Sequence, residues 1–366
     1  MFENRYIAIL IAVSFLLLGA SMLIVSDSVD AAEDPWEGDI TINADGSFTP
    51  SDAPLKVLGN KKIYRLTDDV EGYIYVYRDK ITLDGDGHTI IGDEDYWLPN
   101  GQIMLKDVDH CTVREFIFKD FYCFGIVIKG DHNTVFKCDF YLEDWWEEAS
   151  GIEVHGSFNV IKKCTFTSPE NWYSWMGVAL VDGGYNKVLN CEFEHITEAI
   201  FSITPNNYII ANKISYGATG IYGYTDFSSC VIKSNKIMYA YEGIYIFSGF
   251  GAPHDNVITE NIIRYNGCGI SFCRSDENLV YNNNIYDNDY AFWIYGSYDN
   301  SFYHNNIIDN TYPFDTGDEA DNTWDDGNGE GNYWSDYEGE DTNHDGVGDT
   351  DLPHNGVDYY PLMEEL

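Results

Sequence analysis

The chain has 366 residues, more than one ordinary hydrophobic core holds, so the length predicts either several domains or a repeat architecture. Apolar residues make up 44% of the sequence and aromatic residues 16%, which excludes a disordered chain. The 20 Lys and Arg residues against 61 Asp and Glu residues give a net charge of −41, which excludes nucleic acid and anionic lipid as partners and favours a cation-rich exterior.

The pattern of residues at the N-terminus predicts a targeting segment. A short polar start with one cation precedes an apolar run over 6–25, and small residues follow at Val29-Asp30-Ala31-Ala32. This order is typical of a signal peptide, but the run is also long enough to cross a bilayer. Residues 1–31 are therefore predicted to be a cleaved signal peptide or a membrane anchor. Either one places the rest of the chain outside, with the membrane contacted only through this segment.

Residues 32–80 are predicted to form an N-terminal cap, with strands at 39–42 and 73–77. The segment after it, 81–324, carries the motif Asn-x-(Val/Ile)-x-x-(Cys/Asn)-x-(Phe/Ile), as in Asn256-Ile258-Asn261-Ile263. A second landmark, Gly-Ile or a relative such as Gly243-Ile244, recurs in the same phase about every 22 residues. Two landmarks in fixed phase are the signature of a solenoid.

The short alternating apolar runs of each repeat, such as Ile244-Tyr245-Ile246, indicate strands rather than helices. Leucine-rich repeats share the period but need a Leu framework that this sequence lacks. The predicted fold is therefore all-β, a right-handed single-stranded parallel β-helix with N- and C-terminal caps, because parallel connections are right-handed. Caps are expected because an open coil end exposes strand edges and core.

The repeated polar position predicts a ladder of stacked side-chain amides along the axis. Its members are Asn212, Asn235, Asn261, Asn283 and Asn305. Cys138, Cys164 and Cys191 occupy the same position in earlier coils, which favours buried free thiols and leaves a disulfide between neighbouring coils as the alternative.

Three histidines, His88, His110 and His132, are spaced 22 residues apart and are candidates for one corner on successive coils. Such a column would suit zinc or copper. The alternative is a set of solvated turn residues.

Two adjacent coils carry extra residues at one turn, over 141–148 and 168–175. Aromatic rings among carboxylates suit the stacking and hydrogen bonding of sugars, although the same rings could pack on each other as a lid. The candidate ligand-binding residues are Trp145, Trp146, Trp172, Trp175, Glu143, Asp144 and Glu170. Because acidic neighbours are expected by chance in so acidic a chain, no catalytic pair is identifiable among them.

The C-terminal cap, 325–366, contains an acidic loop with EF-hand-like spacing. Asp341, Asn343, Asp345 and Asp349 supply oxygen ligands at loop positions 1, 3, 5 and 9, and Gly346 stands at position 6. Leu352 takes the place of the usual bidentate Glu, so that Asp351 or Asp358 would have to substitute. The loop predicts calcium as a structural cofactor, with an ordinary acidic turn as the alternative.

Residues 81–90, Ile-Thr-Leu-Asp-Gly-Asp-Gly-His-Thr-Ile, resemble the first coil of NosD-like β-helix proteins, and the repeats resemble the PbH1-type units of the pectin-lyase-like fold. The tail at 331–337, 341–349 and 358–362 resembles the C-terminal end of family members on archaeal cell surfaces. The resemblance covers about residues 38–366. Through the family name it implies a copper-handling accessory role in nitrous oxide reductase maturation. Soft-metal handling uses clustered Met, Cys or His, whereas Met104, Met176, Met238 and Met363 are scattered.

The sequence therefore favours an exported, non-catalytic surface protein, extracellular or at the cell surface, with glycan or cell-envelope material as candidate partner. The alternatives are a polysaccharide lyase or hydrolase of the pectin-lyase-like fold and a periplasmic-type copper-handling accessory protein.

Overall fold

A computed structural model describes residues 34–92, 101–121, 123–142, 149–169, 174–249, 251, 253–316 and 321–366. Residues Trp36–Leu366 form one compact unit built from strands and turns. Within the described ranges, no helix has the length and apolar character needed to cross a membrane. The predicted targeting segment lies outside those ranges.

Three sheets run along the unit, and each coil of the chain contributes one strand to each of them. Sheet 1 contains β1 (Trp36–Glu37), β6 (Val70–Glu71), β9 (Thr89–Ile91), β12 (Ile117–Lys119), β15 (Asp139–Tyr141), β18 (Thr165–Thr167), β21 (Glu192–Glu194), β24 (Lys213–Ser215), β27 (Lys236–Met238), β30 (Ile262–Arg264), β33 (Asn284–Tyr286), β36 (Asn306–Ile308) and β38 (Tyr333–Trp334). Sheet 2 contains the longest strands, β2 (Ile40–Ile42), β3 (Phe48–Thr49), β7 (Ile74–Val76), β10 (Gly101–Lys106), β13 (Phe124–Lys129), β16 (Ser150–His155), β19 (Ser174–Asp182), β22 (Ile196–Ser202), β25 (Thr219–Tyr224), β28 (Glu242–Phe247), β31 (Cys268–Cys273), β34 (Tyr290–Tyr295) and β37 (Tyr312–Thr316). Sheet 3 contains β4 (Leu55–Leu58), β5 (Ile63–Leu66), β8 (Thr82–Asp84), β11 (Thr112–Arg114), β14 (Thr134–Phe136), β17 (Val160–Lys162), β20 (Lys187–Leu189), β23 (Tyr208–Ile210), β26 (Val231–Lys233), β29 (Val257–Thr259), β32 (Leu279–Tyr281) and β35 (Ser301–Tyr303).

Strands of successive coils pair in parallel, which confirms the predicted parallel β-helix. On sheet 2, for example, Ile221 of β25 pairs with Ile244 of β28, which pairs with Ile270 of β31. The parallel ladders already include β1 and β2, so the segment 32–80 adds strands to the solenoid as well as ending it. At that end β3 and β4 are antiparallel to β2 and β5, which occupies two sheet edges that would otherwise be open.

The core is built by alternation, because neighbouring side chains on a strand point to opposite faces. Ile244 and Ile246 are fully buried while Tyr245 between them is partly exposed. Rings at one inward position of sheet 1 stack coil on coil, with centroid separations of 4.5–4.7 Å across Phe118, Phe140, Phe166 and Phe193.

This ring stack explains the glycine of the Gly-Ile landmark in the earlier coils, whereas a Cβ on Gly243 of a later coil would meet the Gly269 carbonyl oxygen at 2.5 Å. A Cβ placed on Gly151 would stand 2.4 Å from the Phe166 ring, and one on Gly177 would stand 2.5 Å from the Phe193 ring. Glycine is therefore the residue that lets the sheet-2 backbone pass close to the rings.

The predicted amide ladder is confirmed. The Nδ2 of each Asn donates to the Oδ1 of the Asn one coil later, at 3.0 Å from Asn235 to Asn261 and 2.9 Å from Asn261 to Asn283. The ladder runs on through Asn305 to Asn332. It ends at Asp358, whose carboxylate accepts the Asn332 backbone N–H at 2.9 Å and the Trp334 indole N–H at 2.8 Å. The sequence thus identified the ladder but not its last two members.

The cysteine prediction also holds for the described residues. Cys138, Cys164 and Cys191 are buried and unbridged. Burial raises the pKa of the Cys164 and Cys191 thiols well above its usual value, which keeps them protonated and inert.

The prediction that three histidines line one corner is wrong for one of them, His88. The rings of His110 and His132 stack at 4.8 Å, as the spacing suggested. His88 does not continue that stack, because it lies between β8 and β9 at another corner and contacts Asp69 at 3.2 Å.

Asp84, from the stretch 81–90, is a fully buried carboxylate on β8. Arg65 and Arg114 from the flanking coils contact its Oδ2 at 2.8 Å and 2.9 Å. Burial raises its pKa, but the hydrogen bonds from Arg114 and Arg65 outweigh that effect and hold the pKa below its usual value. The sequence motif therefore marks an ion-pair clamp on three consecutive coils.

Candidate ligand-binding face on sheet 2

Of the seven residues predicted to bind a ligand, the described ranges contain one. Trp145, Trp146, Trp172, Glu143, Asp144 and Glu170 lie outside them. Trp175, on β19, is 39% exposed and its backbone N–H donates to the Ala149 carbonyl at 3.2 Å. The predicted insertions are the connections between β15 and β16 and between β18 and β19. Because β15 pairs with β18 and β16 with β19, the described strands that flank the two insertions frame one corner of the solenoid.

A cavity of about 180 Å³ opens on sheet 2 beside that corner. It is lined by Cys123, Phe124, Ser150, Glu153, Trp175, Met176, Ala179, Val181 and Phe201. Trp175 thus stands at the wall of a real concavity, while the rest of the lining comes from residues that sequence reasoning did not select.

Three aromatic rings continue from this cavity along sheet 2; we call Phe201, Tyr222 and Tyr245 the ring column. They occupy one outward register position on β22, β25 and β28. The centroids are 5.4 Å apart between Phe201 and Tyr222 and 5.3 Å between Tyr222 and Tyr245. Burial raises the pKa of both tyrosines to about 12, so their hydroxyls remain protonated hydrogen-bond donors.

Two carboxylates lie beside the ring column; we call Glu198 and Glu242 the acid column. They share a register position two coils apart, since Glu198 pairs with Thr219 and Thr219 with Glu242. Loss of hydration raises the pKa of Glu198 to about 6, and the described residues provide it with no hydrogen bond or ion pair. Burial also raises the pKa of Glu242, although the Ser271 hydroxyl, which donates to it, opposes the shift.

Sequence reasoning missed the acid column, although its place in the repeat was visible. Each glutamate stands directly before the Gly-Ile landmark, at Ala199-Ile200 and Gly243-Ile244. Strict alternation would turn both side chains inward with Ile200 and Ile244, and it is the structure that places their register position, shared with Met176 and Ser150, on the face where the cavity opens.

An exposed ladder of rings borders the acid column at the corner between sheets 1 and 2. His195, Tyr216, Tyr239 and Tyr265 stack with centroid separations of 4.8–5.2 Å. Each has φ between 57° and 60°, the left-handed conformation that turns the chain sharply from one sheet to the next. In the later coils, this corner is therefore lined by stacked aromatic rings.

The acidic loop of the C-terminal cap is closed by its own hydrogen bonds. The Asp341 carboxylate accepts the backbone N–H groups of His344 at 2.6 Å and Gly346 at 2.9 Å, and Asp349 accepts that of Thr342 at 2.8 Å. The hydrogen bonds from Gly346 to Asp341 and from Thr342 to Asp349 hold the pKa of both carboxyls below its usual value. The Asp345 carboxylate accepts the backbone N–H of Val347 at 3.0 Å. The Asn343 side-chain oxygen accepts the backbone N–H of Asp345 at 2.9 Å.

Asp358 is not available as a further loop ligand, which corrects one of the two substitutes considered for position 12. Its side chain is fully buried, and its oxygens accept hydrogen bonds from Asn332, Trp334 and Tyr360.

In the described part of the chain, most side chains that could hold copper are dispersed; Cys123 and Met176 are the pair that lines one cavity, on sheet 2. Seven of the eight cysteines are buried, and Met104 and Met238 are buried on different sheets. The groups whose ligand atoms lie within 4.8 Å of one another are His254 with Asp255 and Glu277, and His304 with Asp326 and Glu330. One imidazole with two carboxylates is not the soft ligand set that selects copper(I).

The family model described as NosD, periplasmic copper-binding protein, matches residues 63–289 and 249–339. No curated protein matches the chain in sequence.

Solved structures with the same architecture include an alginate lyase of family PL6 in complex with a trisaccharide, at 14% identity, covering 80% of each chain with a TM-score of 0.54. The A-module of a mannuronan C-5 epimerase from Azotobacter vinelandii is 10% identical, with 71% of this chain and 87% of that one covered and a TM-score of 0.51. The tailspike of Escherichia coli bacteriophage HK620 in complex with a pentasaccharide is 14% identical, with 81% and 60% covered and a TM-score of 0.50. At these identities the likeness establishes the fold, a right-handed parallel β-helix.

Proposed function

Because this chain belongs to the NosD family, whose description is periplasmic, we propose that it is an exported β-helix protein that binds a glycan chain along the outer face of sheet 2 without cleaving it. The observation that carries the proposal is the ring column beside the acid column. Flat rings offer stacking surfaces for sugar faces, and carboxylates and phenol hydroxyls offer hydrogen bonds to sugar hydroxyls. The repeat of the coils suits a polymer, since it presents the same kind of position again and again along the axis.

Two of the structural neighbours are complexes with oligosaccharides, so some proteins of this fold bind glycans, which supports the proposal. The comparison adds no residue to this site. The chemistry of the face rests on Phe201, Tyr222, Tyr245, Glu198 and Glu242 themselves.

The spacing of the acid column supports binding over hydrolysis. Two strand spacings separate Glu198 from Glu242, about 9.6 Å. Ser271 on β31 draws the Glu242 carboxylate away from Glu198. Carboxyl pairs of glycosidases stand about 5–9.5 Å apart, so the backbone spacing of this pair lies at the upper limit of that range, and the contact of Glu242 with Ser271 favours a still wider separation of the two carboxyls.

The proposal is tested by glycan-array binding with the chain from residue 33 onward, followed by titration of the best ligand. Tyr222→Ala and Tyr245→Ala should each weaken binding about tenfold, which corresponds to about 1.4 kcal/mol. Tyr281→Ala is the matched control, because Tyr281 stacks on Tyr303 at 5.4 Å on sheet 3, away from this face. Equal losses in the control, or release of shorter sugars during incubation, would contradict non-catalytic binding on sheet 2.

Export and calcium complete the proposal. The apolar run over 6–25 supports secretion or surface anchoring, and protease treatment of intact cells should cleave the solenoid. The loop oxygens of Asp341, Asn343, Asp345 and Asp349 support a calcium ion of modest affinity that fastens the C-terminal cap.

A further inference from the structure

The outer face of sheet 2 is acidic in a way that restricts its ligand. The seven strands from β19 to β37 contain no Lys, Arg or His, whereas Asp182, Glu198, Glu242 and Asp315 lie on four of them. Cationic residue types occur on earlier strands of the sheet, at Lys106, Lys129 and His155, and at its edges, at His195 and Arg274. A uronate polymer laid along the ring column would therefore meet like charge on the strands themselves and a cation only at the margins of the face.

The acid column is also incompletely paired. Glu198 is half-buried, and the described residues supply no donor to it; among the same residues, Glu242 has the neutral Ser271 hydroxyl as its one donor. A carboxylate that has lost hydration without gaining a partner is stabilised strongly by a donor or cation that arrives with a ligand.

The neighbouring rings add to this preference. Phe201 stands three residues after Glu198 on β22, and Tyr245 stands three residues after Glu242 on β28. After burial, the charge of Glu198 contributes to the raised pKa of Tyr222 and that of Glu242 to the raised pKa of Tyr245, so each glutamate lies near a ring of the column. An ammonium group at either glutamate would therefore meet a carboxylate and a ring face together, two contacts that favour cations. The cavity lined by Trp175 and Met176 opens at the same end of the column.

We propose that the glycan bound on sheet 2 carries free amino groups, so that protonated amines of an amino-sugar polymer pair with Glu198 and Glu242 while its rings lie along Phe201, Tyr222 and Tyr245. This inference rests on the proposed function and specifies its ligand class.

The test compares three oligosaccharides of equal length by calorimetric titration at about pH 6.5, where most of the Glu198 carboxyl, with its pKa raised to about 6, is ionised. They are a β-1,4-linked glucosamine oligomer, its N-acetylated counterpart and an oligouronate. The glucosamine oligomer should bind at least about tenfold tighter than the N-acetylated one. This advantage should shrink as salt is raised, because the attraction between charges is screened.

Glu198→Gln and Glu242→Gln should each lower the ratio of the affinity for the glucosamine oligomer to the affinity for its N-acetylated counterpart, because the neutral amide keeps hydrogen bonding to sugar hydroxyls but loses the attraction to an ammonium group. Glu194→Gln is the matched control, an exposed glutamate on β21 of sheet 1, and should change neither affinity. If the N-acetylated oligomer binds as tightly as the amine, or the oligouronate binds best, the inference is overturned while glycan binding stands. If the array and all three oligosaccharides show no binding, the proposed function itself fails.

Discussion

Replacing Asn261 with alanine tests how much the amide ladder contributes to stability. The side chain makes four hydrogen bonds inside the core. Its Oδ1 accepts the Asn235 backbone N–H at 2.9 Å and the Asn235 Nδ2 at 3.0 Å, and its Nδ2 donates to the Ile232 carbonyl and to Asn283 Oδ1, each at 2.9 Å.

The substitution leaves the buried Asn235 N–H without its acceptor, which costs about 2 kcal/mol, and each of the other three contacts contributes about 0.5–1 kcal/mol. Asn261→Ala should therefore lower the free energy of unfolding by about 4 kcal/mol. Cys164→Ala is the matched control, because Cys164 occupies the same position of an earlier coil and makes only weak thiol contacts, to the Lys162 carbonyl at 3.5 Å and to the thiols of Cys138 and Cys191. Its loss should stay near 1–2 kcal/mol, roughly that of a small buried group.

The measurement is urea unfolding followed by circular dichroism, with the melting temperature as a second readout. A solenoid can unfold in segments, so transition midpoints of the two variants are compared before free energies are extracted. If Asn261→Ala costs no more than Cys164→Ala, the amide ladder orders the coils without stabilising them, and the reasoning is wrong.

Three further outcomes are expected. Because the folded pKa of Asp84 lies below its unfolded value, its ion pairs stabilise the fold above about pH 3.9 and are lost as the pH falls further; Asp84→Asn should lower the melting temperature at neutral pH and flatten its fall in acid. Millimolar calcium should protect the region after Trp324 from proteolysis, and Asp345→Ala should abolish that protection; an unchanged digestion pattern and melting temperature would identify an ordinary acidic turn. Thiol labelling of denatured, unreduced protein should modify Cys138, Cys164 and Cys191, and resistance of any of them would indicate a bridge.

The strand register and the buried faces of the coils could be predicted from the sequence because every coil repeats the same pattern of residues. Asn212 alone says little, but its recurrence at Asn235 and Asn261 requires one register, and register fixes which faces are buried. The Gly-Ile landmark was equally visible, although its cause was not. The requirement for glycine comes from rings such as Phe166, which stand on another sheet and meet Gly151 only once the coils are stacked.

The candidate site was harder to read because it departs from the repeat. Glu198 and Glu242 share a phase with Thr219, so the position tolerates different residues and gives no periodic signal. Glu198 and Glu242 are two of 61 acidic residues in the chain, and nothing in the sequence distinguishes them as site residues until their burial is known. The prediction instead followed the tryptophan-rich connections, of which Trp175 borders the cavity. The clamp at Asp84 escaped notice for a similar reason, since Arg65 and Arg114 are 19 and 30 residues away in sequence.

The amide ladder has a direction, and that direction bears on how such a chain can change its length. Every Asn from Asn235 to Asn305 accepts from the coil before it and donates to the coil after it. A duplicated coil inserted between any two of them would find a donor on one side and an acceptor on the other, so gain or loss of whole coils leaves no orphaned amide. The last position is different, because it must accept without passing a hydrogen bond onward. Asp358 meets that requirement as a carboxylate, which has no proton to donate when ionised. The number of coils can therefore change during evolution without leaving an unpaired amide, whereas Asp358 has to be kept together with the C-terminal segment.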